Sequence, residues 1–215
     1  PGDVAISPGA ARVQSGKSPL SIVFEMITMK KTLICALVSL ALAAPAWAAL
    51  DEAEFHRLCR KGSAEEIAAA LKDGAPVNGL NKRQETPLMT AAAYNSLEAV
   101  KVLLEAGADA RAAGRDGQTA LLAAATSRRS PEITAAIIKA GGKVNHVAKG
   151  GITPLMAACT NEKFPEIVQQ MIRARANVNV ANEKGVTPLI IAARTNRGSE
   201  IIGALLEAGA KVNES

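Results

Sequence analysis

Aromatic side chains are nearly absent: only 2% of the 215 residues are Phe, Tyr or Trp, although 48% are hydrophobic. An apolar fraction rich in Ala and Leu, with so few rings, suits close-packed helix pairs rather than a core filled by aromatic bulk. His and Cys are scarce too, with two and three copies. No pair of them has metal spacing such as C-x-x-C or H-E-x-x-H. There is no G-x-S-x-G, and no Ser-His-Asp set can be argued from local spacing. The carboxylates are scattered, so a paired acid and base cannot be proposed. No enzymatic activity and no cofactor are expected. An excess of one charge is also missing, since 25 basic and 20 acidic residues leave only +5. That is too mild to argue for nucleic acid.

What the chain does have is repetition. Thr86-Pro87-Leu88-Met89-Thr90-Ala91-Ala92 returns as Thr119-Ala120-Leu121-Leu122-Ala123-Ala124-Ala125, as Thr153-Pro154-Leu155-Met156-Ala157-Ala158-Cys159 and as Thr187-Pro188-Leu189-Ile190-Ile191-Ala192-Ala193, at spacings of 33, 34 and 34 residues. Such a period marks a stacked array rather than one globular core. Gly107, Gly141 and Gly209 each close an apolar run (Val102-Leu103-Leu104, Ile137-Ile138, Leu205-Leu206), as a helix-ending left-handed residue does. Thr-Pro-Leu, a pair of small residues, then a Leu-Leu-x-x-Gly-Ala run resembles the ankyrin repeat, from Leu50 to the C-terminus. The resemblance implies an all-α solenoid of about five helix-turn-helix repeats joined by hairpin-like fingers, near residues 50–81, 82–114, 115–148, 149–181 and 182–213.

The front of the chain differs. Residues 1–28 read as an upstream extension. Ala11 to Ser18 satisfies a relaxed phosphate-loop pattern but has neither the strand before it nor the helix after it that such a loop needs. From Met29, Lys30-Lys31 forms a positive start, Leu33 to Ala44 an apolar stretch, and Ala46-Trp47-Ala48 a small-x-small end. Residues 29–48 are therefore expected to be a secretory signal cleaved after Ala48. The alternative is a retained inner-membrane anchor, because Leu33 to Leu50 is 18 residues without charge. Cys35 is discounted as a lipoprotein site, being too near Lys31 and preceded by bulky Ile34. Both readings put the repeats, residues 49–215, on the periplasmic side of a bacterial envelope.

Repeat 1 has no Thr-Pro-Leu and reads as the N-terminal cap, with a first helix containing Phe55 to Gly62 and a second from Ala64 to Lys72. In the others Thr begins the first helix with Pro in its first turn. Glu98, Glu132, Glu166 and Glu200 place negative charge at the start of the second helix. Ser130 is expected to cap its helix. Gly117, Gly151 and Gly185 turn the fingers. Gln84 replaces that Gly in repeat 2, an expected departure at its turn. Arg175 replaces the helix-ending Gly in repeat 4, at an expected cost of about 1 kcal/mol. Repeat 5 keeps Ile190, Ile201, Leu205 and Leu206, and some of that apolar surface is expected to be exposed.

Cys59 and Cys159 share a column with Ala92, Ala125 and Ala193 and are expected to be buried, unbridged thiols. His56 shares a column with Met89, Leu122, Met156 and Ile190, and His146 lies at the base of a finger.

What remains is surface. The family resemblance implies that partners are held on the concave side by finger tips and first-helix ends. The matching finger residues are Lys82, Arg83, Glu85, Arg115, Asp116, Gln118, Lys149, Ile152, Glu183, Lys184 and Val186. The matching helix ends are Arg60, Lys61, Tyr94, Asn95, Arg128, Arg129, Asn161, Lys163, Arg194 and Arg197. Most of the polar ones are basic, which favours a partner protein with an acidic patch. The expected function is a monomeric, non-catalytic interaction module that scaffolds, protects or inhibits an envelope enzyme. Membrane contact is expected only if residues 29–48 are retained. A narrower alternative is an immunity protein against a periplasm-delivered toxin. One of a different class is a metal or small-molecule site between helices, through His56 or Cys59.

Overall fold

A computed structural model of the chain describes residues 51–212 apart from 128, 162 and 196–198. The signal segment, Ala46, Ala48, Arg128 and Arg197 lie outside the described residues. Ten α-helices form five successive pairs among them. These are α1 (Glu52–Lys61) with α2 (Ala64–Lys72), α3 (Pro87–Tyr94) with α4 (Leu97–Glu105), α5 (Ala120–Thr126) with α6 (Pro131–Lys139), α7 (Pro154–Ala158) with α8 (Glu166–Arg173), and α9 (Pro188–Thr195) with α10 (Ser199–Glu207). Helix α1 begins three residues before Phe55, because Asp51 caps it by accepting from the Glu54 amide.

Each repeated Thr starts its helix through the same bond. Thr86, Thr119, Thr153 and Thr187 accept, through Oγ1, the amides of Met89, Leu122, Met156 and Ile190 at 3.2–3.3 Å. The four glutamates do lie in the first turns of the second helices. Ser130 does not cap α6 as expected: its hydroxyl donates instead to the Glu132 carboxylate two residues on.

The pairs then stack. Helices α1, α3, α5, α7 and α9 contact one another in that order as one layer, and α2, α4, α6, α8 and α10 as a second. Every helix thus buries its apolar side against the equivalent helix of its neighbours and against its own pair. Phe55, Leu88, Leu121 and Leu155 form one buried column of the first layer, and Ala70, Leu103, Ile137, Met171 and Leu205 one of the second. At the last repeat Ile201 and Leu205 are buried, whereas Ile190 is 37% and Leu206 44% exposed.

Polar brackets tie one repeat to the next. Asn145 donates from Nδ2 to the Arg175 carbonyl (3.0 Å) and accepts at Oδ1 from the Asn177 amide (2.8 Å). Asn78 makes the same pair with Gly107 and Asp109, and Asn179 with Gly209 and Lys211. Arg111 fills the column in repeat 2, giving only a donor, from Nε to the Gly141 carbonyl at 3.1 Å. The bracket falls on the carbonyl of each helix-ending left-handed residue, which the helix itself leaves unpaired. Arg175 holds that conformation at φ 64° with its carbonyl so engaged.

Four fingers close alike, by amide-to-carbonyl bonds Asn81 to Glu85, Gly114 to Gln118, Ala148 to Ile152 and Asn182 to Val186, all 2.8–3.0 Å. Two devices turn them. Asn81 and Asn182 fold their Oδ1 onto the amides two and four residues on. Where Gly114 or Ala148 begins the finger, two successive left-handed residues take over, Asp116-Gly117 and Gly150-Gly151. Gln84 departs less than expected: at φ 61° it takes the left-handed role, and its amide reaches the Asn81 carbonyl at 2.8 Å. A Cβ on Gly114 would come within 2.1 Å of the Gln84 carbonyl oxygen, so neighbouring fingers touch through backbone.

Two outcomes follow for chemical denaturation. Thr134 is fully buried, its hydroxyl has no partner, and its column carries Val100 and Val168. Thr134→Val is therefore expected to stabilise the protein by about 1 kcal/mol. Asn145→Ala removes both arms of a bracket and is expected to cost about 1–2 kcal/mol, seen as a lower midpoint with unchanged slope.

Candidate functional site

The side formed by fingers and first helices carries the expected contact residues. Lys82, Arg83, Arg115, Asp116, Lys149, Glu183 and Lys184 are exposed at the finger tips, and Glu85, Gln118, Ile152 and Val186 are half-buried where the fingers return. Tyr94, Arg129, Lys163 and Arg194 are exposed at helix ends. Lys163 lies over the Phe164 ring at 4.9 Å.

Two of the expected residues face inward. Asn161 is 4% exposed and donates from Nδ2 to the carbonyls of Ala125 and Ser127, at 3.0 and 2.8 Å. Half-buried Asn95 reaches Cys59 and Gly62 in the same way, at 2.9 and 3.1 Å. In repeat 5 the Thr195 hydroxyl takes this place, donating to the Cys159 carbonyl at 3.0 Å. These side chains satisfy the end of the preceding first helix and offer little to a partner.

The exposed residues are not evenly placed. A hollow of about 300 Å³ lies between the first finger and α1 and α3, lined by Ala53, Arg57, Arg60, Lys82, Arg83 and Tyr94, with Glu85 at its edge. A second, of about 630 Å³, continues from Arg60, Lys61 and Tyr94 to Glu98, Arg129 and Ile133. The two meet at Arg60, whose guanidinium lies 4.1 Å from the centre of the Tyr94 ring. Among the described residues, Arg57 pairs with Glu54 and Lys149 with Asp116 of the preceding finger (3.0 Å). No carboxylate pairs with Arg60, Lys61, Lys82, Arg83 or Arg129 there.

His56 is one of the two residues through which the sequence offered a metal or small-molecule site as an alternative. It is buried, with Nε2 donating to the Gly79 carbonyl (3.1 Å) and Nδ1 3.0 Å from the Thr90 hydroxyl. Both ring nitrogens are thus engaged, one within repeat 1 and one across to repeat 2. His146 likewise donates to Gly117 of the preceding finger at 2.8 Å. Only His56 and Thr90 are one repeat apart, at 34 residues; the Gly79 and Gly117 contacts, at 23 and 29, follow no period in the sequence. Among the described residues no group of three or more His, Cys, Asp or Glu could hold a metal ion, and no helix is long and apolar enough to cross a membrane.

Cys59 and Cys159 are fully buried and unbridged, and burial pushes each thiol from 9.0 up to about 12. Burial favours the neutral form, so their contribution to stability is whole below about pH 9 and is lost as pH rises through the folded value near 12. At neutral pH neither is expected to react with a thiol reagent until the protein is denatured. Mass mapping of the labelled cysteines checks this, and native labelling of either would contradict it.

A family model for ankyrin repeats, in three copies, matches twice, at residues 55–148 and 122–215. The human protein named DNA-binding protein RFXANK is 35% identical over 80 residues, which is 37% of this chain and 31% of that protein. The chain thus spans about a third of the length of that curated relative. With the family model covering residues 55–215, where the structure stacks five capped helix pairs, the chain belongs to the ankyrin-repeat family.

Proposed function

We propose that this ankyrin stack is a non-catalytic module that binds another protein through its fingers and first-helix ends. The observation that carries the reading is the registered, braced finger wall. Fingers close by one bond pattern, touch through backbone at Gly114 and Gln84, and are linked again by the Glu183 amide to the Gly150 carbonyl (3.3 Å) and by Lys149 to Asp116. A surface held this way spends little ordering entropy on association. Its exposed tips are mostly cationic, which supports a partner with an acidic patch.

The leader-like segment supports an exported form, cleaved after Ala48 and acting in the bacterial periplasm as scaffold, protector or inhibitor of an envelope enzyme. An immunity protein against a delivered toxin is a narrower form of the same role. The metal-site alternative finds less support, because His56 has both nitrogens in hydrogen bonds and the Cys59 thiol is held neutral by burial.

The charge-reversed variant Arg115→Glu/Arg129→Glu tests the reading, since both side chains are exposed and neither is part of the core. It is expected to lose, by roughly tenfold or more, the partner that the parent protein captures from envelope extract. Unchanged capture would count against binding through this face.

A further inference from the structure

We propose that the groove running from the first finger, over the Arg60–Tyr94 stack, to Arg129 receives an extended, carboxylate-rich segment of the partner protein. This rests on the protein-binding reading above and names where and by what chemistry the partner is held.

The argument begins with charge. Six cations line the two joined hollows, Arg57, Arg60, Lys61, Lys82, Arg83 and Arg129, against two carboxylates, Glu85 and Glu98. Glu85 already accepts from the Asn81 side-chain amide at 2.8 Å, and Arg57 alone among the six is paired with a carboxylate of the described residues. On a later finger Lys149 pairs with Asp116, whereas Arg60, Lys61, Lys82, Arg83 and Arg129, without a carboxylate partner among the described residues, come together along this groove.

Geometry then selects the ligand. Arg60 lies over the ring of Tyr94, itself 39% exposed, so the stack presents a planar fork and an apolar edge at the junction of the hollows. A planar guanidinium held in this way suits bidentate recognition of a carboxylate. The first hollow is bounded by a finger and helix ends, the second by helix ends alone, and joined at Arg60 and Tyr94 they form a trough. An extended chain fits such a trough with carboxylates on the cations and an apolar residue on Tyr94. A nucleic-acid strand fits less well. Glu85 and Glu98 oppose its unbroken phosphate charge, and Tyr94 is the one aromatic lining the trough, whereas strand binders use successive stacking rings.

The test uses the full chain and a fluorescein-labelled oligoglutamate peptide, with oligoglutamine and a single-stranded DNA oligomer as comparisons, read by fluorescence polarisation. The glutamate peptide is expected to bind with affinity that falls as salt rises, and the glutamine peptide not to bind. Arg60→Glu is expected to weaken binding about tenfold or more and Tyr94→Ala severalfold, while Lys139→Glu, on α6 and outside both hollows, changes it less than about twofold. All three positions are exposed, and circular dichroism verifies that each variant keeps its helices. No binding of the glutamate peptide, or equal losses for Arg60→Glu and Lys139→Glu, would overturn the proposal. So would tighter binding of the DNA oligomer abolished by Arg60→Glu, which assigns the trough to nucleic acid. Envelope capture lost in Arg115→Glu/Arg129→Glu but intact in Arg60→Glu overturns this inference alone and leaves protein binding in place.

Discussion

No repeat of this chain has a core of its own. Phe55, Leu88, Leu121 and Leu155 are each buried only because the next pair of helices lies against them, and the same holds for Leu103, Ile137 and Met171 in the second layer. The need of each apolar side for an equivalent neighbour sets the period, the alignment of helices and the demand for small residues where they approach. It accounts for the alanines and cysteines of the Cys59 column, at 0% exposure in repeats 1 to 4, and for the exposure of Ile190, whose equivalents Met89, Leu122 and Met156 are buried.

Apolar columns bring repeats together without fixing their register to a fraction of an ångström, and the polar brackets supply that. Asn78, Arg111, Asn145 and Asn179 grip the end of the next second helix, while Asn95, Asn161 and Thr195 grip the end of the previous first helix. Each bond satisfies a carbonyl that its own helix cannot. The fingers inherit this order, since they grow from the segments just after the bracketed helix ends. A rigid finger wall is thus a consequence of capping chemistry repeated at a fixed spacing, and it is what makes a surface of ordinary charged residues suitable for recognition.

The proposed binding trough lies where that regularity is least complete. Repeat 1 lacks the Thr-Pro-Leu opening, and its α1 carries Arg57 and Arg60 where repeats 2 to 4 have Thr90, Ala123 and Ala157 and Ala93, Thr126 and Thr160. The trough beside Tyr94 exists because repeat 1 departs from the common pattern, while His56 ties it to repeat 2 through Thr90.

The sequence by itself determined the repeat period, the Thr and Pro that start the first helices, the left-handed helix ends including Arg175, and the burial of both cysteines. These are legible because each depends on neighbours within a few residues or on a column that recurs every 33 or 34 positions. Ser130 was misjudged as a cap because a carboxylate two residues away competes for its hydroxyl. Asn95 and Asn161 looked like surface because nothing local reveals that their amides turn back onto a helix 33–36 residues earlier. Only the tertiary structure decided which cations pair, as Lys149 does with Asp116, and which stay open around Tyr94. Pairing and exposure depend on distances between side chains of different repeats, which a period in the sequence aligns but does not measure.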